Sequence, residues 1–362
     1  MRQRDGRAHE PVAGHSKHET TTRERMSTSK RSKVVTKPRV RLTMADLARL
    51  AGVSKITVSR ALGESATVNA KTRERVRALA VAHGYKLNVS ARNLRLRQSH
   101  TVAVIVEMTP SPNRLMSDPY PLELLGGILH ELTTTHYSAL LTTRQGAVAP
   151  AVQAADGVIL LGQGARHDAV HLFEKLRLPM VIWGAPNPKD ARIVVGSDNR
   201  MGGAAAAERF VSIGRRHPIF IGATDHPEIA ERHAGFVATL KARGIVPVVL
   251  HRDAFTVKSG IEAVQSLLHK KTRFDAIFAG NDLLAMGAIG ALIESGLRVP
   301  EDVSVVGYDD TPLGAAFIPP LSSVHQNWRD GGILLARKVL ALVRGEVAKS
   351  EMLPSNLVLR AT

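Results

Sequence analysis

The chain has 362 residues, 44% of them apolar and 22% charged, the balance of a folded protein of two or three domains. It has no cysteine, which excludes disulfides, thiolate zinc sites, iron–sulfur clusters and cysteine nucleophiles. The net charge of +17 is unevenly placed: residues 1–98 hold 23 of the 49 Lys and Arg against 7 of the 32 Asp and Glu, and residues 99–362 are close to neutral. A basic first quarter on a near-neutral body points to a nucleic-acid-binding head joined to a different kind of domain. A basic tail that only aids solubility is a fair reading for residues 1–38 alone. No apolar run reaches 18 residues and the N-terminus lacks the apolar stretch of a secretory signal, so a cytoplasmic protein without membrane association is expected.

Residues 1–38 are polar and nearly empty of large apolar side chains, which predicts a disordered basic arm. Met26 is a second candidate start of translation within it. Residues 39–86 carry helical periodicity. Thr43, with Asp46 three residues on, approaches a capping box, and Met44, Leu47, Ala48 and Ala51 recur on one face. Gly52 breaks that helix and Val53 fills the turn. Ser54 caps a second short helix with Val58, Ala61 and Leu62 inward. A third helix runs from Asn69 to His83 on Val76, Leu79 and Ala80, and ends at Gly84. Two short helices joined by a glycine turn, with a third to close the core, are a helix-turn-helix pattern. Residues 87–98 read as a hinge too short to be a stable helix alone in water. From Thr101 onward short apolar strands alternate with amphipathic helices. Such strands end near Met108, Thr142, Gly162, Gly184, Ala223, Gly280 and Asp310, with a loop over 109–121 and a helix over 122–135. This texture predicts parallel α/β sheets covered on both faces, and residues 99–362 are long enough for two similar lobes.

The head residues resemble the DNA-binding domain of LacI/GalR-type bacterial transcription regulators. The resemblance is carried by Asp46-Leu47-Ala48, Ala51-Gly52-Val53-Ser54, Thr57-Val58-Ser59-Arg60, Thr72-Arg73-Glu74-Arg75-Val76, Gly84-Tyr85 and Asn88-x-x-Ala91-Arg92-x-Leu94. It continues in Ser197-Asp198-Asn199, Gly202-Gly203, Gly280-Asn281-Asp282, residues 303–310, Pro319-Pro320-Leu321 and residues 357–360. It implies a small all-α head followed by a two-lobed, periplasmic-binding-protein-like body with parallel sheets. The chain would cross between lobes near residues 182–185, 325–328 and 353–356. It further implies a repressor whose affinity for double-stranded operator DNA depends on a small effector: a sugar, a sugar acid or a nucleoside-like compound. No tetramerising extension follows Arg360, so a homodimer is expected.

Direct readout needs a helix in the major groove with donors and apolar tips near its N-terminus. Lys55 and Ile56 stand where the resembling family reads bases, Lys55 toward guanine acceptors and Ile56 toward a thymine methyl. Thr43, Ser54, Thr57, Ser59, Arg60 and Asn69 offer phosphate or base contacts, although exposed polar residues at these positions are also ordinary. Asn88, Ala91, Arg92 and Leu94 match the family's hinge helix, with Leu94 as a minor-groove wedge rather than plain linker packing. For the effector, Arg232, Asn281, Asp309 and Gln326 match the superfamily's polar ligand contacts, and Tyr120 and Trp328 are aromatic candidates for a sugar face. The departures are Asp118-Pro119-Tyr120, Gly184 after Trp183, and Gly162-Gln163-Gly164 where some sugar-responsive members carry an acid.

Other chemistries find little support. Gly162-x-Gly164 lacks the third glycine of a dinucleotide fingerprint. His167 and His171 share a helix face without the glutamate of a zinc hydrolase. No nucleophile elbow, phosphate loop or paired catalytic carboxylates are recognisable, so neither cofactor, metal nor enzymatic activity is expected. A transporter's solute-binding protein would share the body but has no use for a basic head, and an activator would carry the same motifs as a repressor.

Overall fold

The computed structural model describes residues 42–63, 67–85, 98–107, 119–187 and 190–362. The basic arm and the expected hinge residues Asn88, Ala91, Arg92 and Leu94 lie outside the described residues. The chain divides into two units, with the boundary between Leu87 and Asn88.

The first unit holds α1 (Met44–Ala51), α2 (Lys55–Leu62) and α3 (Ala70–Ala82). Each starts on a side-chain cap, which supplies an acceptor to an amide that the helix leaves open. Thr43 Oγ1 accepts from the Asp46 amide and Asp46 returns a bond to the Thr43 amide, completing the capping box. Ser54 accepts from the Thr57 amide and Asn69 from the Thr72 amide. Gly52 ends α1 at φ 61°, a left-handed turn that a side chain would strain. Leu47, Val58, Ala61 and Val76 meet in a fully buried core with Ala48, Ala51 and Ala80.

The second unit has two sheets of six strands. The first contains β1 (Thr101–Val106), β2 (Ser138–Thr143), β3 (Gly157–Leu161), β4 (Met180–Trp183), β5 (Ile193–Ser197) and, from the far end of the chain, β11 (Glu351–Leu353). Their order is β11-β5-β4-β3-β1-β2 and every pairing is parallel. Helices α4 (Pro119–Leu132) and α12 (Trp328–Val343) cover one face; α5 (Pro150–Gln153) and α6 (Asp168–Glu174) cover the other. The second sheet contains β6 (Pro218–Ile221), β7 (Val248–Leu250), β8 (Ala276–Ala279), β9 (Ser304–Asp309), β10 (Ser322–His325) and β12 (Asn356–Val358), in the order β12-β10-β9-β8-β6-β7. Only β12 runs antiparallel to its neighbour in this sheet. Helices α7 (Asn199–Ser212) and α8 (Pro227–Lys241) pack on one face, α9 (Val257–His269) and α10 (Asp282–Glu294) on the other; α11 (Pro312–Ala315) follows β9. Central strands buried on both faces explain the unbroken apolar runs of the sequence.

The chain passes between lobes at residues 197–199, 325–328 and 353–356. The last two are as expected. The first corrects the expectation of residues 182–185, which end β4 inside the first sheet. β5 pairs with β4 in parallel and keeps the chain in that lobe for one more strand.

Helix pairs in the body approach closely enough to need glycine. A Cβ on Gly203 of α7 would collide with the carbonyl of Arg232 on α8, and one on Gly235 of α8 would collide with the carbonyl of Arg200 on α7. Gly127 and Gly332 do the same for α4 and α12. No helix among the described residues is long and apolar enough to cross a membrane.

Candidate functional site

Two places carry the residues singled out above. The first is the N-terminal end of α2. Lys55 and Ile56 are exposed there, and Ile56 shows 63% of its surface to solvent while its helix neighbours Val58 and Ala61 are fully buried. An exposed β-branched apolar side chain beside a lysine, at the start of a helix, is not a packing residue. Ser54 and Thr57 are engaged with each other, hydroxyl to hydroxyl at 2.9 Å, and Ser54 also holds the Thr57 amide at 3.1 Å. Thr43 and Asn69 are likewise occupied as caps. Ser59 is half-buried and Arg60 is exposed on the same helix.

The second is a cleft between the lobes of the body, lined by polar and aromatic side chains from both. Five of the six expected effector residues line it: Tyr120, Arg232, Asn281, Asp309 and Gln326. Trp328 does not. It lies in the core of the first lobe, 5% exposed, with its ring edge-on to Tyr120 at 6.0 Å. The indole on the cleft wall is Trp183, the last residue of β4. Trp328 begins α12 immediately after a crossing, and that helix turns into the lobe core rather than along the cleft. Tyr120 was expected in a loop and stands instead in the first turn of α4.

Arg232 is the centre of the polar wall. It is 6% exposed; its Nε donates to Asn199 Oδ1 at 2.8 Å and its Nη1 to the Gly280 carbonyl at 2.6 Å. Its guanidinium lies 3.6 Å above the Tyr308 ring, and Nη1 is 4.0 Å from Asp309 Oδ1. A buried cation requires such partners because desolvation costs several kcal/mol. Asp309 accepts from Gln326 Nε2 at 2.7 Å, and Gln326 Oε1 accepts from Ser197 at 2.8 Å. Asp309 sits at φ +117°, a conformation that side chains avoid and that clusters at binding sites. Asn281 caps α10 through its Oδ1, at 2.9 Å from the Leu284 amide, which leaves its amide group to donate.

Sequence reasoning named Gln163 and Trp183 only among the departures, without assigning them to the site, and missed Glu107, His226, Glu228 and Phe255; all six line the cleft. Glu107 pairs with Arg144 at 3.1 Å, and Arg144 reaches on to Asp168 at 2.8 Å. Gln163 holds the backbone of Ala185 from both ends of its amide, at 3.0 and 2.8 Å. Glu228, in the first turn of α8, has its carboxyl pushed up chiefly by burial; Arg232 opposes the shift and Glu107 adds to it. A signal for several of these existed. In parallel sheets ligands bind past the carboxyl ends of strands, and Glu107, Gln163 and Trp183 stand at the ends of β1, β3 and β4, as Asn281, Asp309 and Gln326 do for β8, β9 and β10.

Comparison with known proteins joins the two places. Residues 43–88 match bacterial regulatory proteins of the lacI family, and residues 207–362 match the periplasmic binding protein-like domain. The HTH-type transcriptional regulator CelR of Thermobifida fusca is 33% identical over 334 residues, covering 89% of this chain and 96% of that protein. The probable HTH-type transcriptional repressor ExuR of Bacillus subtilis is 28% identical over 334 residues, covering 87% and 96%. Among solved structures, the Lac repressor dimer bound to operator and an anti-inducer superposes with a TM-score of 0.78 at 26% identity, covering 89% of this chain and 99% of that one. A CelR–cellobiose complex superposes with a TM-score of 0.66 at 31% identity over the same shares. The capped three-helix head, the two-lobed parallel body and these similarities have one conclusion: the chain belongs to the lacI family of bacterial regulatory proteins.

Proposed function

We propose that this regulator is a homodimeric repressor that binds a near-palindromic operator through α2 and releases it when a small metabolite fills the cleft. The observation that carries the reading is the pairing of an exposed Lys55–Ile56 tip on a capped helix-turn-helix head with a cleft lined from both lobes. Lys55 donates to guanine acceptors, Ile56 packs on a thymine methyl, and Ser59 and Arg60 contact phosphates or base edges. Asn88, Ala91, Arg92 and Leu94 form the hinge that enters the minor groove. In the body, Arg232, Asn281, Asp309 and Gln326 bind polar groups of the effector and Tyr120 and Trp183 cover its apolar face. The protein acts by binding and not by catalysis, in keeping with a family of DNA-binding regulators.

The test is operator selection from random duplexes followed by gel shifts with and without a saturating cleft ligand. The expected result is a two-half-site operator, salt-sensitive binding from counterion release, and weaker binding with ligand. Tighter binding with ligand would reverse the sign of the switch, and no duplex selected above background would refute the assignment of the head.

A further inference from the structure

We infer that Asp156 is a positioning residue for operator binding: its carboxylate fixes residues 99 and 100, where the chain from the DNA-binding head enters the body, and so sets the direction in which that chain leaves the first sheet. The role rests on DNA binding by the head and on no property of the cleft.

Asp156 stands immediately before β3, and Ser99 and His100 stand immediately before β1, its neighbour in the sheet. One carboxylate oxygen accepts from the Ser99 amide at 2.6 Å and from the Ser99 hydroxyl at 3.0 Å; the other accepts from the His100 amide at 2.8 Å. Bonds to a carboxylate are roughly twice as strong as those between neutral groups. The Asp156 amide donates in return to the Thr101 carbonyl at 2.9 Å. From the other side the Ser138 amide, at the start of β2, donates to the His100 carbonyl at 2.9 Å, and Tyr137 lies edge-on to the His100 ring at 5.3 Å. His100 is thus held from both flanking strands. It sits at φ +50°, a left-handed conformation that a side chain adopts where its surroundings impose it. That turn sets the exit of the chain, and the carboxylate holds it.

The second lobe carries the same device at the matching place. Asp275, immediately before β8, accepts from the Arg216 and His217 amides at 2.7 and 2.8 Å, just ahead of β6. The separations in sequence are alike, 57 and 56 residues for Asp156 against 59 and 58 for Asp275. An aspartate that ties the entry of one strand to the start of its neighbour is therefore part of how each lobe folds. Two differences single out the first lobe. β6 is entered from α7, a helix of its own lobe, whereas β1 is entered from the head. Of the four clamped residues, His100 alone is left-handed.

A clamp at this point acts on DNA binding through entropy. Were Ser99 and His100 free, they would have to be ordered again whenever both heads of the dimer dock on two half-sites, and that cost appears as lost affinity. Binding to random DNA is mainly phosphate contact and accepts many orientations, so slack costs it little.

The experiment uses full-length protein, an operator selected from random duplexes by the wild type, and a scrambled duplex of the same length at the same salt. Asp156→Ala is expected to weaken operator binding about tenfold or more and to leave scrambled-DNA binding within about twofold, as re-ordering two freed residues implies. Asp275→Ala, which breaks the matching clamp away from the head, is expected to stay within about twofold of wild type on both duplexes. Asp156→Asn keeps one acceptor oxygen and should lose about threefold on the operator; it also serves where the alanine variant does not fold, as melting curves report. Hydrogen exchange at the Ser99 and His100 amides should quicken in both Asp156 variants. Operator affinity unchanged in Asp156→Ala, or in Asp156→Asn where the alanine variant does not fold, overturns the inference. Equal losses in Asp156→Ala and Asp275→Ala reduce Asp156 to a folding device and overturn it too, as does an equal loss on operator and scrambled DNA.

Discussion

Replacing Arg232 by alanine tests the cleft's structural and functional roles together. The side chain makes two charge-assisted hydrogen bonds, at 2.8 and 2.6 Å, and lies on the Tyr308 ring. Each such bond contributes about 1.5–3 kcal/mol. Truncation leaves Asn199 Oδ1 and the Gly280 carbonyl without this donor, and it leaves Asp309 beside a void, although Gln326 still donates to Asp309 at 2.7 Å. Water entering the void offsets part of the loss. The net cost is about 3–4 kcal/mol, close to that of breaking a buried ion pair. For a body of this size that corresponds to a fall in melting temperature of roughly 6–15 °C.

Below the new melting range the head keeps its own buried core, so operator affinity is expected to stay within about threefold of wild type while the response to ligand disappears. Arg232→Lys should fall between the two, since one ammonium cannot reach Asn199 and Gly280 while lying on a ring. The assays are calorimetric melting and gel shifts with and without ligand. A melting point within about 2 °C of wild type would refute the view of Arg232 as a buried post. A full ligand response in the alanine variant would remove it from the site.

Further outcomes follow from other parts of the molecule. Lys55→Ala is expected to cost about 1–3 kcal/mol of operator affinity and to relax one base position in each half-site; gel shifts equal to wild type at every base would remove it from readout. Thr43→Ala breaks the capping box and should cost the head about 1 kcal/mol, read as a lowered denaturation midpoint of a fragment ending near Leu87 and compared with intact protein. Asp282 is buried with bonds from the Thr311 amide and hydroxyl and from Ser323; its carboxyl is pushed up to about 6, chiefly by burial. Because the folded form holds this proton more tightly than the unfolded chain, its contribution to stability is full below about pH 4 and declines as pH rises through 6. Denaturation midpoints of wild type minus Asp282→Asn across pH 4–7 should show that decline, and a flat difference would contradict it. Gly203→Ala forces α7 from α8 at the Arg232 carbonyl; backbone cannot yield as a side chain does, so a loss of about 3 kcal/mol or more is expected, measured by urea unfolding.

How much of this was legible before the structure depends on how local the determinant is. The head was readable because its caps lie within four residues of what they cap: Thr43 and Asp46, Ser54 and Thr57, Asn69 and Thr72. The central strands were readable because they are apolar on both faces. β10 was not, because Ser322 and Ser323 occupy buried positions satisfied by Thr362, 40 residues away, and Asp282, 41 residues away. β5, β11 and β12 are short and mix polar with apolar residues, and β5 is what displaced the first crossing from its expected place. In the cleft, residues carried by strong motifs were found, whereas Glu107 and Trp183 looked like the tail of a strand. Trp328 was misplaced because an aromatic after a crossing can turn toward the cleft or into the core, and only the path of α12 decides which.

The second crossing supplies Gln326 to the cleft wall, and this bears on how a ligand can act at all. An effector shifts an equilibrium only by binding its two states unequally. A ligand held by one lobe would bind open and closed bodies alike. Here the wall draws Glu107, Tyr120 and Trp183 from the first lobe and Glu228, Arg232 and Asp309 from the second, so the full set of contacts exists at one lobe separation. The first two crossings are tied to that set. Ser197, where the chain first leaves the first lobe, donates to Gln326 at the second crossing, and Gln326 donates to Asp309. A ligand that takes a place on Asp309 therefore alters the partner of the residue that links two crossings, one hydrogen bond away. Differential contact across the lobes and a direct bond to the inter-lobe crossings supply the two requirements for coupling, of typical size about 1–3 kcal/mol, without a long pathway through the core.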